Sequence, residues 1–67
     1  MGQSCKDYEI RLHRSDGELS LVAILPAMGD EDAKRLAKSM LQADLTDAHI
    51  WNEDGDLVQS IHKIQRP

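Results

Sequence analysis

With 67 residues and a formal net charge of −4, the chain has room for one domain, of a size that buries only about 60% of the surface its unfolded form exposes. The single cysteine, Cys5, excludes an intrachain disulfide framework. Eight basic against twelve acidic side chains disfavour non-specific attachment to nucleic acid or anionic membrane. No apolar run nears the roughly 18 residues of a membrane span, and no charged-then-apolar leader stands at the start. The expectation is a cytoplasmic protein with Cys5 as a reduced thiol.

Residues 1–7 read as a disordered tail, 8–64 as the domain, and 65–67 as a C-terminal tail. From Tyr8 the chain alternates, with Tyr8, Ile10 and Leu12 set against Glu9, Arg11 and His13. That period of two marks a half-buried strand. Asp16-Gly17 then reads as a two-residue turn of type I′. It leads into Leu19–Pro26, the one run that is apolar on both alternating faces. The turn pairs Leu12 with Leu21 and Ile10 with Ala23. Leu21, Ala23 and Leu25 thereby join the inner face of Tyr8, Ile10 and Leu12. Glu9, Arg11, His13, Ser20, Val22 and Ile24 share the outer face. Pro26, lacking an N–H, is expected to stop the ladder.

Gly29-Asp30 opens a helix, with Asp30 as N-cap and Glu31 and Asp32 in the first turn, where the helix dipole favours anions. Ala33, Leu36, Ala37, Met40 and Leu41 fall on one face over three to four turns. Met40 reads as core filler, and Glu31 and Arg35 are spaced for an ion pair. Asp44 to Asp47 reads as a turn. Ala48 to Trp51 alternates again, and Asp54-Gly55 repeats the earlier turn chemistry ahead of a last strand over Leu57 to Ile64. This register sets Ala48, Ile50, Leu57 and Ile61 on the inner face. It sets His49, Trp51, Val58, Ser60 and His62 on the outer.

The predicted fold is α+β: ββαββ, a four-stranded antiparallel sheet with one helix packed on one face. A strand apolar on both sides belongs in the middle of a sheet, so the order 1-2-4-3 fits best, with 2-1-3-4 left open. If strands two and three run parallel, the two Asp-Gly tips lie at opposite ends and cannot share a cation.

The outer face holds every candidate for function. Val22, Ile24, Trp51 and Val58, with Arg11, His13 and His62 around them, form an apolar patch that one chain has no element left to cover. The leading expectation is a non-enzymatic interaction module, a homodimer joined through this face or an edge strand. A second reading takes His13, His49 and His62, with Glu9, as ligands for Zn²⁺. Their separations, 49 − 13 = 36 and 62 − 49 = 13 residues, match no metal motif, and no cofactor is called for. A third reading stacks single-stranded nucleic acid on Trp51 beside Arg11, His13 and Lys63. One aromatic in an acidic chain is poor equipment for that. No Ser-His-Asp order, CxxC, phosphate-binding Gly loop or HExxH is present, so no catalytic constellation supports an enzyme.

Ile10-Arg11-Leu12-His13-Arg14-Ser15-Asp16-Gly17, Gly29-Asp30-Glu31-Asp32-Ala33 and Ile50-Trp51-Asn52-Glu53-Asp54-Gly55 together make residues 8–64 resemble short bacterial ββαββ proteins of unknown function. The resemblance implies a bacterial cytosolic origin and brings no activity, ligand or site with it.

Overall fold

The computed structural model describes residues 5–42 and 44–63. Positions 1–4 of the tail expected at 1–7, the tail expected at 65–67, and the end of the last strand at position 64 lie outside these residues. The chain forms β1 (Lys6–Arg14), β2 (Leu19–Ala27), α1 (Asp30–Met40), β3 (Leu45–Trp51) and β4 (Leu57–His62). All strand pairs are antiparallel and the sheet order is β2-β1-β3-β4. This is the predicted α+β, ββαββ architecture, and β2 and β3 run parallel. The Asp-Gly tips therefore stand at opposite ends of the sheet.

The order differs from the favoured 1-2-4-3. β2 lies at an edge, and β1 and β3 are central. In the central strands the helix-facing residues between the strand ends are buried. Tyr8, Ile10 and Leu12 of β1 and Thr46, Ala48 and Ile50 of β3 are all buried. β4 pairs Gln59 with Ile50, and an amide in that register position suits an edge. The two-sided apolar character of β2 marks exposure rather than centrality.

The helix meets this sheet through small residues. Ala33 and Ala37 are fully buried against the Tyr8, Ile10, Leu12 and Ile50 side chains, with Leu25, Leu36, Met40, Leu41, Leu45, Val58 and Ile61 packed around the rim. Met40 is thus the filler its spacing predicts. Asp30 is the first helical residue instead of the N-cap. Gly29 takes the cap position without a side-chain bond, and Asp32 Oδ2 reaches back to accept from the Met28 N–H (3.1 Å). That frees Asp30 Oδ1 to accept from the Tyr8 hydroxyl (2.8 Å), tying β1 to the helix start. Arg35 pairs with Asp32 at 3.3 Å and not with Glu31.

Both hairpins depart from the two-residue turn in the same way. Gly17 N–H donates to Arg14 O and Arg14 N–H to Glu18 O. Gly55 N–H donates to Asn52 O and Asn52 N–H to Asp56 O. Each is a three-residue loop whose last residue, Gly17 (φ 88) or Gly55 (φ 86), has left-handed backbone, the geometry of a type I turn closed by a glycine bulge. A one-residue shift follows, between Leu12 and His13 in the first hairpin and between Ile50 and Trp51 in the second. It restores the predicted pairs Leu12–Leu21 and Ala48–Ile61. Near the second tip it changes which residues face the helix. Val58 packs against the core, while Leu57, expected there, is 51% exposed.

Strand limits also differ from the sequence reading. β1 starts at Lys6, inside the expected tail. β3 starts at Leu45, inside the expected turn. β2 runs through Pro26 to Ala27. The Asp7 N–H donates to Glu53 Oε2 (3.2 Å) on the β3–β4 side, and the Arg14 N–H donates to Glu18 O, on the β2 side just before that strand. Backbone direction alternates along a strand, so even-numbered residues of β1 bond β2 and odd-numbered ones bond β3. Asp7 opposes Pro26. The Pro26 nitrogen therefore faces away from β1, and its missing N–H leaves the ladder intact.

Gly55→Ala should lower stability by about 1–2 kcal/mol, the strain of a left-handed non-glycine residue, because open space surrounds the added Cβ. Urea denaturation measures this, and an unchanged midpoint would remove the backbone argument. Tyr8 supplies a second test. Its pKa is raised by the bond to Asp30, by burial, and by the charges of Asp30 and Glu53. Its contribution is whole below the ordinary phenol pKa of about 10 and is lost as pH rises through the higher folded value. Tyr8→Phe should be less stable at neutral pH and show a shallower decline above pH 10 in the same assay.

Candidate interaction surface

On the face opposite α1, the strand registers set side chains in three rows. Ile24, Glu9, Trp51 and Leu57 form the row nearest the second hairpin tip. Val22, Arg11, His49 and Ser60 form the next. His13, Asp47 and His62 complete the third, with Leu19 opposite His13 on β2. Each row crosses all four strands, because residues directly opposed in paired strands project to the same side.

The apolar members stand at the margins. Ile24 is 65% and Val22 46% exposed on β2, and Leu57 stands out on β4. Trp51 is half-buried in β3. The Arg11 guanidinium lies over its ring, with Cζ 5.6 Å from the centroid. Arg11 also donates through Nε to Glu9 Oε2. The Trp51 Nε1 atom is buried and has no hydrogen-bond partner. The indole is thus clamped under an arginine rather than presented as an open stacking platform.

The histidines divide between two sets of partners. His13 and His49 meet edge to face with centroids 5.1 Å apart. The His13 Nδ1 lies 3.2 Å from Gly17 O, and the His49 Nδ1 is 3.0 Å from Ser60 Oγ. His62 hydrogen-bonds through Nδ1 to Asp47 Oδ1. Glu9 is engaged with Arg11. Among the described residues, no three histidine, cysteine or acidic side chains converge as a metal site requires. The grouping of His13, His49, His62 and Glu9 therefore breaks into pairs.

Of the seven residues expected on this interaction face, Val22, Ile24, Trp51, Arg11, His13 and His62 are on it. Val58 is not, since the register shift turns it to the core, and Leu57 takes its place beside Trp51. Asp47, which the sequence reading assigns to a turn, also stands on this face in β3. Its signal was legible: Leu45, Asp47, His49 and Trp51 keep period two, which extends the strand back from Ala48.

The other large exposure lies on the helix side of β2. Leu21 pairs with the buried Leu12, yet remains 45% exposed, while Leu19, opposite His13 on the helix-free face, is 52% exposed. The inner-face assignment of Leu21 holds in register, but the helix does not cover it. The first half of β2, residues 19–22, is therefore bare on both faces, whereas Leu25 packs against the core and Ala27 is buried. The whole strand carries no charged residue over nine positions, Leu19–Ala27. Native edge strands are ordinarily blunted by lysines, inward charges or short length. Here only Pro26 acts in that way.

Comparison with protein-family models, curated proteins and solved structures finds no match for this chain. No helix among the described residues is long and apolar enough to cross a membrane.

Asp47 gives this face a pH signature. Its pKa is lowered by the hydrogen bond from His62, against an opposing effect of burial, with further help from the charges of His62 and His49 and from Thr46. The resulting stabilisation is whole above the ordinary carboxylate pKa of about 4 and is lost as pH falls through the lower folded value. Asp47→Asn should therefore lose less stability than the parent between pH 4 and pH 2. Parallel acid limbs in denaturant titrations would show that the pair adds nothing.

Proposed function

We propose that this protein is a small non-enzymatic interaction module that works by self-association, as a homodimer. The observation that carries the reading is the concentration of exposed large aliphatics at β2. Leu19, Leu21, Val22 and Ile24 all stand bare on one strand. Monomeric domains leave single apolar side chains exposed as a matter of course, but contiguous patches beyond a few hundred Å² mark contact surfaces.

Two further features support it. A chain of this length has a thin core, and the eight buried hydrophobic residues among those described include four alanines. Domains this small commonly gain stability from metals, disulfides or a partner subunit. A second copy would supply apolar cover that one helix does not. The Arg11–Trp51 and His62–Asp47 contacts leave the middle of the helix-free face occupied by its own partners, which directs association toward β2.

The module is expected to run at a mass near twice the 7.5 kDa of one chain in size-exclusion chromatography with light scattering at micromolar concentration. Dilution should return it to single chains. A monodisperse monomer at millimolar concentration would overturn the reading.

A further inference from the structure

We infer that the partner is a second copy of this chain, joined edge to edge through β2 in antiparallel pairing, so that two four-stranded sheets become one of eight strands. The inference rests on the self-association proposed above and names its seam.

The backbone of β2 supplies the first argument. Even-numbered residues of β1 bond β2 in the pairs Tyr8–Leu25, Ile10–Ala23 and Leu12–Leu21. The N–H and C=O groups of Leu21, Ala23 and Leu25 therefore point to β1. Those of Val22 and Ile24 point outward from the sheet edge. Such a row of donors and acceptors is completed by one kind of partner, another extended backbone.

Side-chain exposure selects edge pairing over face stacking. Stacking on the helix-free face would cover Leu19, Val22 and Ile24 and leave Leu21 bare on the helix side. An added strand lies beside β2 on both faces and covers all four. Cross-strand neighbours of this kind each contribute roughly 0.2–1 kcal/mol.

Charge identifies the occupant. β2 contains neither an acidic nor a basic residue, so a second β2 brings no like charge to the seam despite a chain charge of −4. β4, the other edge, is shorter at six residues and ends in Gln-Ser-Ile-His. A two-fold axis makes the seam self-complementary. Placed at Ala23, it sets Val22 of each copy against Ile24 of the other, and Leu21 against Leu25, matching large aliphatics on both faces. In that register Val22 and Ile24 exchange both backbone bonds in each of their two pairs. Pro26 lies beyond them, where its missing N–H trims the seam. A single-strand seam falls at the small end of specific interfaces, which bury about 1,200–2,000 Å² in total, so the dimer is reversible.

Amide hydrogen exchange by NMR on the intact chain tests the seam residue by residue. The Leu21, Ala23 and Leu25 amides should be protected at every concentration. Those of Val22 and Ile24 should exchange freely in dilute solution. They should slow about tenfold once nine-tenths of the chains are paired, because exchange then proceeds from the free fraction. A dimer in which Val22 and Ile24 stay unprotected overturns this seam and leaves self-association standing, whereas absence of any dimer overturns both. Ile24→Lys should raise the dissociation constant more than tenfold while the circular dichroism of the fold is kept, and Leu57→Lys, on the same face but away from the seam, should leave it unchanged. The reverse outcome would assign association to the helix-free face and reject the edge.

Discussion

One helix cannot cover four strands, and the layout of this protein follows from that. A helix with its side chains is about 10–12 Å across, and strands in a sheet stand about 4.8 Å apart. α1 therefore shelters a width of roughly two strands. β1 and β3 take the sheltered places, and their helix-facing residues make up most of the core. Ala33 and Ala37 let the helix lie close, so Tyr8, Ile10, Leu12 and Ile50 can fill the space between the layers. Whatever stands outside that width is covered only in part. On the β4 side the outlying residues are polar apart from Leu57, Val58 and Ile61. On the β2 side they are aliphatic.

The same geometry explains why hairpin chemistry and strand placement separate in this chain. Each Asp-Gly turn dictates who pairs with whom nearby, since one left-handed glycine closes the loop and the following one-residue shift returns the strands to phase. Nothing in a hairpin says which of its strands will meet the other hairpin. That choice is made when the helix descends on the sheet and rewards the strand that can bury one whole face. β1 meets the condition, with apolar residues at each helix-facing position from Tyr8 to Leu12 and charged or imidazole groups between them. β2 offers as much apolar surface but divides it between two faces, only one of which the helix can reach.

The helix-free face is more self-contained than its composition suggests. Arg11 bridges Glu9 and Trp51, His13 touches His49, and His62 is bonded to Asp47. These contacts are exposed and individually small in energy. Together they engage Glu9, Arg11, Asp47 and the Nδ1 atom of each histidine with partners on the sheet and its first hairpin. The aliphatic edge has no such internal partner, which is why the functional reading moves from the centre of the face to its rim.

Local pattern along the chain suffices for the elements, their antiparallel hairpins, the helix stripe and the outer-face placement of six of seven residues. These are local properties: a period of two, a period of 3.6 and a glycine that accepts positive φ are written within a few neighbouring residues. Packing between distant parts of the chain makes β2 an edge, keeps Pro26 within its strand, turns Val58 inward and Leu57 outward, and divides the histidines into separate pairs. Each of these depends on what lies across the sheet. Pro26 is tolerated because no strand faces its nitrogen, Val58 turns because the register slips by one opposite Ile50, and β2 stays bare because the helix is narrower than the sheet.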